Sequence, residues 1–251
     1  MPRILLLIPH PDDEVVVAAA SIVRRRAAGD IFLGLYLTDG IPAPEQLWRR
    51  DRPGRAARVE RRRREAREAA AILGIEPVAF LGYPSRALKA HLREAVGRIA
   101  QILADHAIEA LWTPAWEGGH QDHDVANFLA SRAAGGRQVT EFAEYNRGGG
   151  AARWNRFAIP NGTETELRLT PDEIAAKRRL VAIYGSESAN LAGAQFEVES
   201  HRPLPEYDYG KPPHDGMLLR ERFHWVGRLF RHPRVDFEPS ASVYETLRNY
   251  R

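Results

Sequence analysis

Residues 5–23 read LLLIPHPDDEVVVAAASIV: a run of aliphatics, then His10, Pro11, Asp12, Asp13 and Glu14, then aliphatics again. One imidazole and three carboxylates are costly to bury unpaired, so their place between two core-seeking segments calls for a physical reason. Ile4 to Pro9 reads as a fully buried strand, and Asp13 to about Ala28 reads as a helix. The polar cluster therefore leaves a strand and opens a helix.

The same alternation continues downstream. Strands are expected at Ile31 to Thr38, Pro77 to Leu81 and Glu109 to Thr113, with helices at about Arg55 to Leu73 and Leu88 to His106. This order predicts an α/β protein: a Rossmann-like, mostly parallel sheet with helices on both faces. Asp39 to Gly54 holds three prolines and several charges, which predicts an irregular loop at the carboxyl edge of the sheet, a place that suits a lid. Beyond Gly148 to Gly150 the pattern loosens. A strand is expected around Arg153 to Ile159, then a helix capped by Thr170-Pro171-Asp172-Glu173 and reaching about Tyr184, then an ordered wrap containing RPLPEYDYGKPPHDG. The expectation is a single domain over 1–251, with the site in a core of 1–135 and added strands, a helix and the wrap in 136–251.

Composition sets outer limits. A chain of 251 residues, 44% hydrophobic and 27% charged, is that of a folded soluble protein, and its net charge of +3 does not by itself imply nucleic acid. The absence of cysteine excludes disulfides, thiolate metal sites and cysteine nucleophiles. The apolar runs near the N-terminus are too short for a membrane span or a secretion signal, which leads to the expectation of a cytoplasmic protein.

In a parallel sheet the carboxyl-edge crevice is where ligands bind. His10 and Asp13 can converge there on one point with Asp12 beside them, which gives a pair of metal ligands and a free base. For these five residues alone, an Asp helix cap with a satisfied histidine is the structural alternative. A second cluster weakens that alternative. WTPAWEGGHQDHDVANFL, residues 112–129, again puts His and Asp between a strand and a helix, the latter expected at about Asp122 to Ala133. His10, Asp13 and His123 would then make up the three-ligand set of a catalytic zinc, which keeps a fourth position for water. Ferrous iron suits the same ligands. His120 with Asp122 nearby suits a general acid or an oxyanion stabiliser. Gly118 and Gly119 allow the backbone to come close to metal or substrate.

The motifs His10-Pro11-Asp12-Asp13-Glu14, Thr38-Asp39-Gly40, Arg62 to Gly74 and His120-Gln121-Asp122-His123, with Lys177 to Ser186 further on, resemble the PIG-L/LmbE-type zinc de-N-acetylases. The likeness spans roughly the first 135 residues. It implies His10, Asp13 and His123 as zinc ligands, Asp12 as general base, His120 as the group that stabilises the oxyanion or protonates the amine, and Asp122 as its orienting partner. The implied substrate is a small N-acetylated amino sugar or a related N-acyl compound. Pro9, Gln121 and Ser85 depart from the family's usual residues, so the resemblance bears more on the reaction than on a sugar pocket.

The basic run RRDRPGRAARVERRRREAR, residues 49–67, reads mainly as a solvated helix face. Its apolar stripe of Val59, Ala66, Ala69, Ala70 and Leu73 nevertheless turns Arg62 or Arg63 inward. Arg62 is also the residue that the resemblance implies for substrate contact. It either pairs with a buried carboxylate or clamps a phosphate or hydroxyl of the substrate.

Trp112 and Trp116 are expected in the crevice wall, with Trp116 able to stack on a sugar. Tyr207, Tyr209 and His214 are placed to close over the site. Outside the two clusters, His91, His106, His201, His214, His224 and His232 lack strand-end placement and read as surface or satisfied core. The alternative function is a non-catalytic nucleotide- or nucleic-acid-binding α/β module. It lacks a glycine-rich phosphate motif and the interleaved aromatics of strand-binding surfaces, so no nucleic-acid partner is expected. A homo-oligomer is compatible with this reading.

Overall fold

The computed structural model describes residues 1–225 and 235–250. In chain order these form β1 (Arg3–Ile8), α1 (Asp13–Ala27), β2 (Ile31–Pro42), α2 (Arg55–Leu73), β3 (Ile75–Ser85), α3 (Leu92–Asp105), β4 (Ala110–Pro114), α4 (Gln121–Ala133), β5 (Gln138–Phe142), β6 (Tyr145–Asn146), β7 (Arg153–Trp154), β8 (Thr165–Arg168), α5 (Pro171–Ile183), α6 (Ser188–Leu191), β9 (Val198–Pro203) and α7 (Ser240–Arg248). The main sheet has seven strands in the order β3-β2-β1-β4-β5-β9-β8. Its first five strands are mutually parallel, while β9 and β8 extend it antiparallel.

Both faces of the sheet are covered, which explains why β1 is an unbroken aliphatic run. Leu5 and Leu7 face a core shared with α3, α4 and α7, whereas Ile4, Leu6 and Ile8 face one shared with α1, α2 and α5. The chain passes from β1 to β2 on one side and returns to β4 on the other. The ends of β1 and β4 therefore flank a topological switch point, where a crevice opens.

Several boundaries differ from the sequence reading. β5 was not expected: QVTEF holds only Val139 and Phe142 as apolar residues, with the buried Glu141 between them, so it carries too few aliphatics to stand out. The expected strand at Arg153 to Ile159 shrinks to the two residues of β7, which pair with β6 in a separate ribbon. β2 runs on through Asp39 to Pro42 by register shifts against β3, and the expected irregular loop starts only afterwards, with short 3₁₀ turns at Pro44–Gln46 and Arg49–Asp51. The capping box of Thr170 and Glu173 forms with both hydrogen bonds.

The aromatic part of the tail joins the core, whereas Leu219, Arg220, Phe223 and Asp236 further on line the crevice. Trp116 is buried, with the rings of Tyr209 and Tyr244 4.9 and 5.1 Å away, and the Tyr209 hydroxyl donates to Asn127 Oδ1 at 2.7 Å. Trp112 packs between Phe32 and Phe142. Hence neither tryptophan, nor Tyr207, Tyr209 or His214, lines the crevice. His232 lies outside the described residues. No described helix is long and apolar enough to cross a membrane.

A buried ion pair ties β9 to α1 and α5. Glu199 accepts from Lys177 Nζ at 2.7 Å, from the backbone of Ala20 and Ser21 at 3.0 and 2.8 Å, and from the Ser21 hydroxyl at 2.7 Å. Glu199→Ala removes all four acceptor contacts and strands a buried ammonium, so it is expected to cost about 3 kcal/mol in denaturant unfolding. A loss below about 1 kcal/mol would show that Lys177 finds water instead.

Candidate metal centre and active-site crevice

The switch-point crevice, about 740 Å³, contains His10, Asp12, Asp13, Arg62 and His120 in its lining. Between β1 and α1 the backbone of Asp12 takes φ 138°, a conformation rare for a residue with a side chain. Asp12 occupies the N-cap position of α1 without making a side-chain cap bond, so the helix-cap alternative does not describe it. Asp13 turns back instead, and its Oδ2 accepts from the His10 backbone N–H at 2.7 Å.

Three acceptor atoms meet at the centre. His10 Nδ1 lies 3.1 Å from His123 Nε2, and Asp13 Oδ2 is 3.4 Å from each of them. The outer nitrogen of each imidazole is held by a carboxylate: His10 Nε2 by Asp122 Oδ2 at 3.0 Å, and His123 Nδ1 by Glu144 Oε2 at 3.0 Å. With the hydrogens drawn outward to these carboxylates, both inner nitrogens present lone pairs toward a carboxylate oxygen. Such a triangle draws positive charge to its centre, either a proton on an imidazole, which the neighbouring carboxylates favour, or a metal ion. Its edges match the roughly 3.3 Å expected between neighbouring ligands in tetrahedral coordination at about 2.0–2.1 Å. The donor set thus fits a divalent metal.

Two neighbours extend this set. The ligand atoms of His120 fall within 4.8 Å of those of His10 and His123, and those of Glu144 fall equally near Asp13 and His123. Glu144, however, already holds the outer nitrogen of His123. His120 is the N-cap of α4, and its Nδ1 accepts from the Asp122 backbone N–H at 3.1 Å. The hydrogen of a neutral His120 therefore sits on Nε2. Asp122 was expected to orient His120, yet its Oδ2 is 3.8 Å from His120 Nδ1 and bonds the Arg86 backbone N–H at 2.6 Å as well as His10. Its short contacts support the metal-type triangle.

Charge and burial reinforce this division. Burial works against protonated His10, but Asp13 and Asp122 outweigh it and raise its pKa to about 9. Burial also raises Asp13, and the two imidazoles overcome this to hold it well below the usual carboxylate range. Asp12 lies in the opposite regime: burial pushes it well above the ordinary value despite Arg62. Burial, with His10 adding, keeps His120 well below an ordinary histidine, hence neutral.

Arg62 does face inward and is buried, as the stripe predicted. Nη2 contacts Asp12 Oδ2 at 3.2 Å and donates to the Pro11 carbonyl at 2.8 Å, while Nη1 contacts Glu187 Oε1 at 3.1 Å and donates to the Gly40 carbonyl at 2.7 Å. Gly40 makes room for it, because a Cβ there would lie 2.3 Å from Nη1. Arg62 is thus paired with two carboxylates and also lines the crevice. Gly119 also has a steric role: a Cβ would sit 2.2 Å from the Tyr145 carbonyl, so the glycine serves chain packing here.

Sequence reasoning missed Glu144, Tyr145, Trp154, Arg86 and Glu187, all in the crevice lining. The signal for Glu144 was its place just after β5, the next parallel strand, once that strand is recognised.

An α/β protein with a divalent-metal-type centre at its switch point is the class that fold and geometry define. Residues 5–134 match the family described as PIG-L, GlcNAc-PI de-N-acetylase, and the chain belongs to this family. Among solved structures it is similar to the zinc-inhibited form of teicoplanin deacetylase Orf2, with TM-score 0.60 and 16% identity over 80% of this chain and 97% of that one. It is also similar to the N,N'-diacetylchitobiose deacetylase of Pyrococcus horikoshii, with TM-score 0.58 and 18% identity over 81% and 84%. The 4-carboxy-2-hydroxymuconate hydratase GalB of Pseudomonas putida is similar too, with TM-score 0.57 and 18% identity over 86% and 100%. These likenesses show a common fold. No curated protein matches in sequence.

Proposed function

We propose that this protein is a zinc-dependent de-N-acetylase acting on a small N-acylated amino sugar, with His10, Asp13 and His123 as metal ligands. The observation that carries the reading is the inward lone-pair triangle with both outer imidazole nitrogens braced by carboxylates, beside a buried carboxylate that is no part of it. Fold alone would not decide the reaction, since the hydratase shares it. Family membership favours amide hydrolysis.

A metal held by these ligands would polarise the acyl carbonyl and lower the pKa of a water molecule. Asp12 takes the proton from the attacking water and passes it to the departing amine, which leaves acetate and a free amino group. Its burial favours the protonated state that this transfer passes through. Neutral His120, with its hydrogen on Nε2, donates to the carbonyl oxygen as negative charge develops there. Arg62 fixes the Asp12 carboxylate and is thereby a positioning residue. Asp122 and Glu144 hold the two imidazoles in the tautomers that the ligand set requires.

The test is acetate release from a panel of N-acetylated sugars by zinc-loaded protein, before and after chelation. Acetate and amine are expected in equal amounts, lost with chelator and regained with zinc. Absence of acetate across neutral, phosphorylated, lipid-linked and glycopeptide-linked sugars would overturn the reading.

A further inference from the structure

The crevice holds cationic groups that the reaction just described does not use. Near its centre the acids are committed: Asp13 to the triangle, Glu144 to His123, and Asp12 and Glu187 to Arg62. Arg86 and Arg58 also line the crevice, and among the described residues neither has a carboxylate oxygen within ion-pair distance. Among the described residues Arg86 Nη1 donates only to the Val235 carbonyl at 3.2 Å, and its Nε is buried without a partner. Arg58 Nη2 donates only to the Asp51 carbonyl at 3.0 Å. Arg220, buried in the same wall, has a long contact to Asp236 at 3.5 Å, lies over the Tyr244 ring at 5.8 Å and acts on the charge of buried Asp124, and it leaves Nε and Nη2 unbonded.

Position makes Arg86 the most telling of the three. Its backbone N–H and the His10 ring share the Asp122 carboxylate, so the residue is rooted two hydrogen bonds from the triangle. It sits in the left-handed region at φ 70°, where a side chain is uncommon. Asp236 and Asp122 act on its charge only from beyond ion-pair contact; a half-buried guanidinium with no carboxylate in contact is held at a cost, and a planar fork of donors is the group that binds phosphate or carboxylate best.

We infer that the N-acyl substrate carries an anionic group, a phosphate or a carboxylate, which Arg86 receives with Arg58 and Arg220 adding attraction from the same crevice. This rests on the de-N-acetylase reading for the word substrate, though the anion site stands on its own geometry. A neutral amino sugar would leave Arg86 and Arg58 without an ion-pair partner among the described residues, whereas an anionic one pairs Arg86 and is drawn in by the field of all three.

The test uses ligands without an acetyl group, so that binding is read apart from chemistry. Calorimetry on the zinc-loaded protein at low salt compares glucosamine with glucosamine 1-phosphate and with muramic acid. At least one anionic ligand is expected to bind tenfold or more tightly than glucosamine, and the advantage should shrink as salt rises. Which of the two wins separates phosphate from carboxylate. Arg86→Asn, a residue that tolerates the left-handed backbone, should cut the advantage to threefold or less, and Arg86→Lys should restore part of it. Equal affinities for all three ligands, or an advantage untouched in an Arg86→Asn protein with a normal melting curve, would overturn the inference. Should Arg86→Asn not fold, Arg58→Gln gives the second measurement: at least a twofold loss of the advantage supports the site, and no loss refutes it. An anion advantage without acetate release from any N-acetylated sugar would sink the proposed function alone. Acetate release indifferent to charge, with no anion advantage, would sink this inference alone.

Discussion

His123→Ala is expected to yield a folded protein that holds no stoichiometric divalent metal and releases no measurable acetate. The imidazole supplies one corner of the triangle, 3.1 Å from His10 Nδ1 and 3.4 Å from Asp13 Oδ2, and no water can be held there with the same orientation by a carboxylate behind it. Removing one of three protein ligands leaves a bidentate site in a crevice open to solvent. The fold should survive, because His123 starts α4 and the helix keeps its His120 cap and its core face of Val125, Phe128 and Leu129. Some stability is lost all the same, since Glu144 stays buried without its partner, at a cost of about 1–3 kcal/mol. Glu144→Gln probes the layer behind the ligand: the metal remains, but its affinity drops by about 10- to 100-fold as the hold on His123 weakens. Elemental analysis after dialysis against dilute zinc reads both variants. A fully metal-loaded His123→Ala protein would remove His123 from the ligand set, and with it the reason for placing the centre between β1 and β4.

How much of this could be read in the sequence depends on how local each signal is. The β1 to α1 transition was legible because its strand, its polar cluster and its helix lie within about twenty consecutive residues, and the sheet topology then brings residues 120–123 to the same edge. The inward turn of an arginine in α2 was legible from helical periodicity, which left Arg62 and Arg63 both open; the structure turns Arg62 inward. Its partners were not, because Glu187 lies on a different element and the pairing with Asp12 is set by the φ of Asp12, which no spacing discloses. Glu144 escaped notice for a related reason. Its strand, β5, is mostly buried but three of its five residues are polar, so it gave no apolar run, and without that strand Glu144 had no assigned edge to stand at. The aromatic tail misled in the opposite direction. Tyr207 and Tyr209 have the composition of a sugar platform, yet their hydroxyls bond Glu141 and Asn127 beneath α4, and Trp116 is taken up by the same cluster.

Asp12→Asn should retain the metal and lose turnover by roughly 10²-fold or more, the usual contribution of a positioned general base. The substitution keeps the shape of the side chain, and asparagine accepts unusual positive φ better than most residues, so the backbone at φ 138° gains no new obstacle. The Asp12 carbonyl continues to accept from Val15 and Val16 at 3.0 and 3.1 Å, which holds the start of α1, and Arg62 keeps Glu187 and two backbone carbonyls as partners. What disappears is the carboxylate that can take a proton and give it back. A ligand holds the ion in every state of the cycle, whereas a base matters only while a proton moves, so metal content and acetate release must separate in this variant and fall together in His123→Ala. His120→Ala belongs with Asp12→Asn: its Nδ1 caps α4 and its ring lies outside the triangle, so the metal should stay while turnover falls. Metal analysis and acetate release on the three purified variants, at equal zinc, decide the matter. A metal-free Asp12→Asn protein would make Asp12 a ligand and exchange its role with Asp13, and a metal-loaded, fully active one would leave the reaction without the base proposed for it.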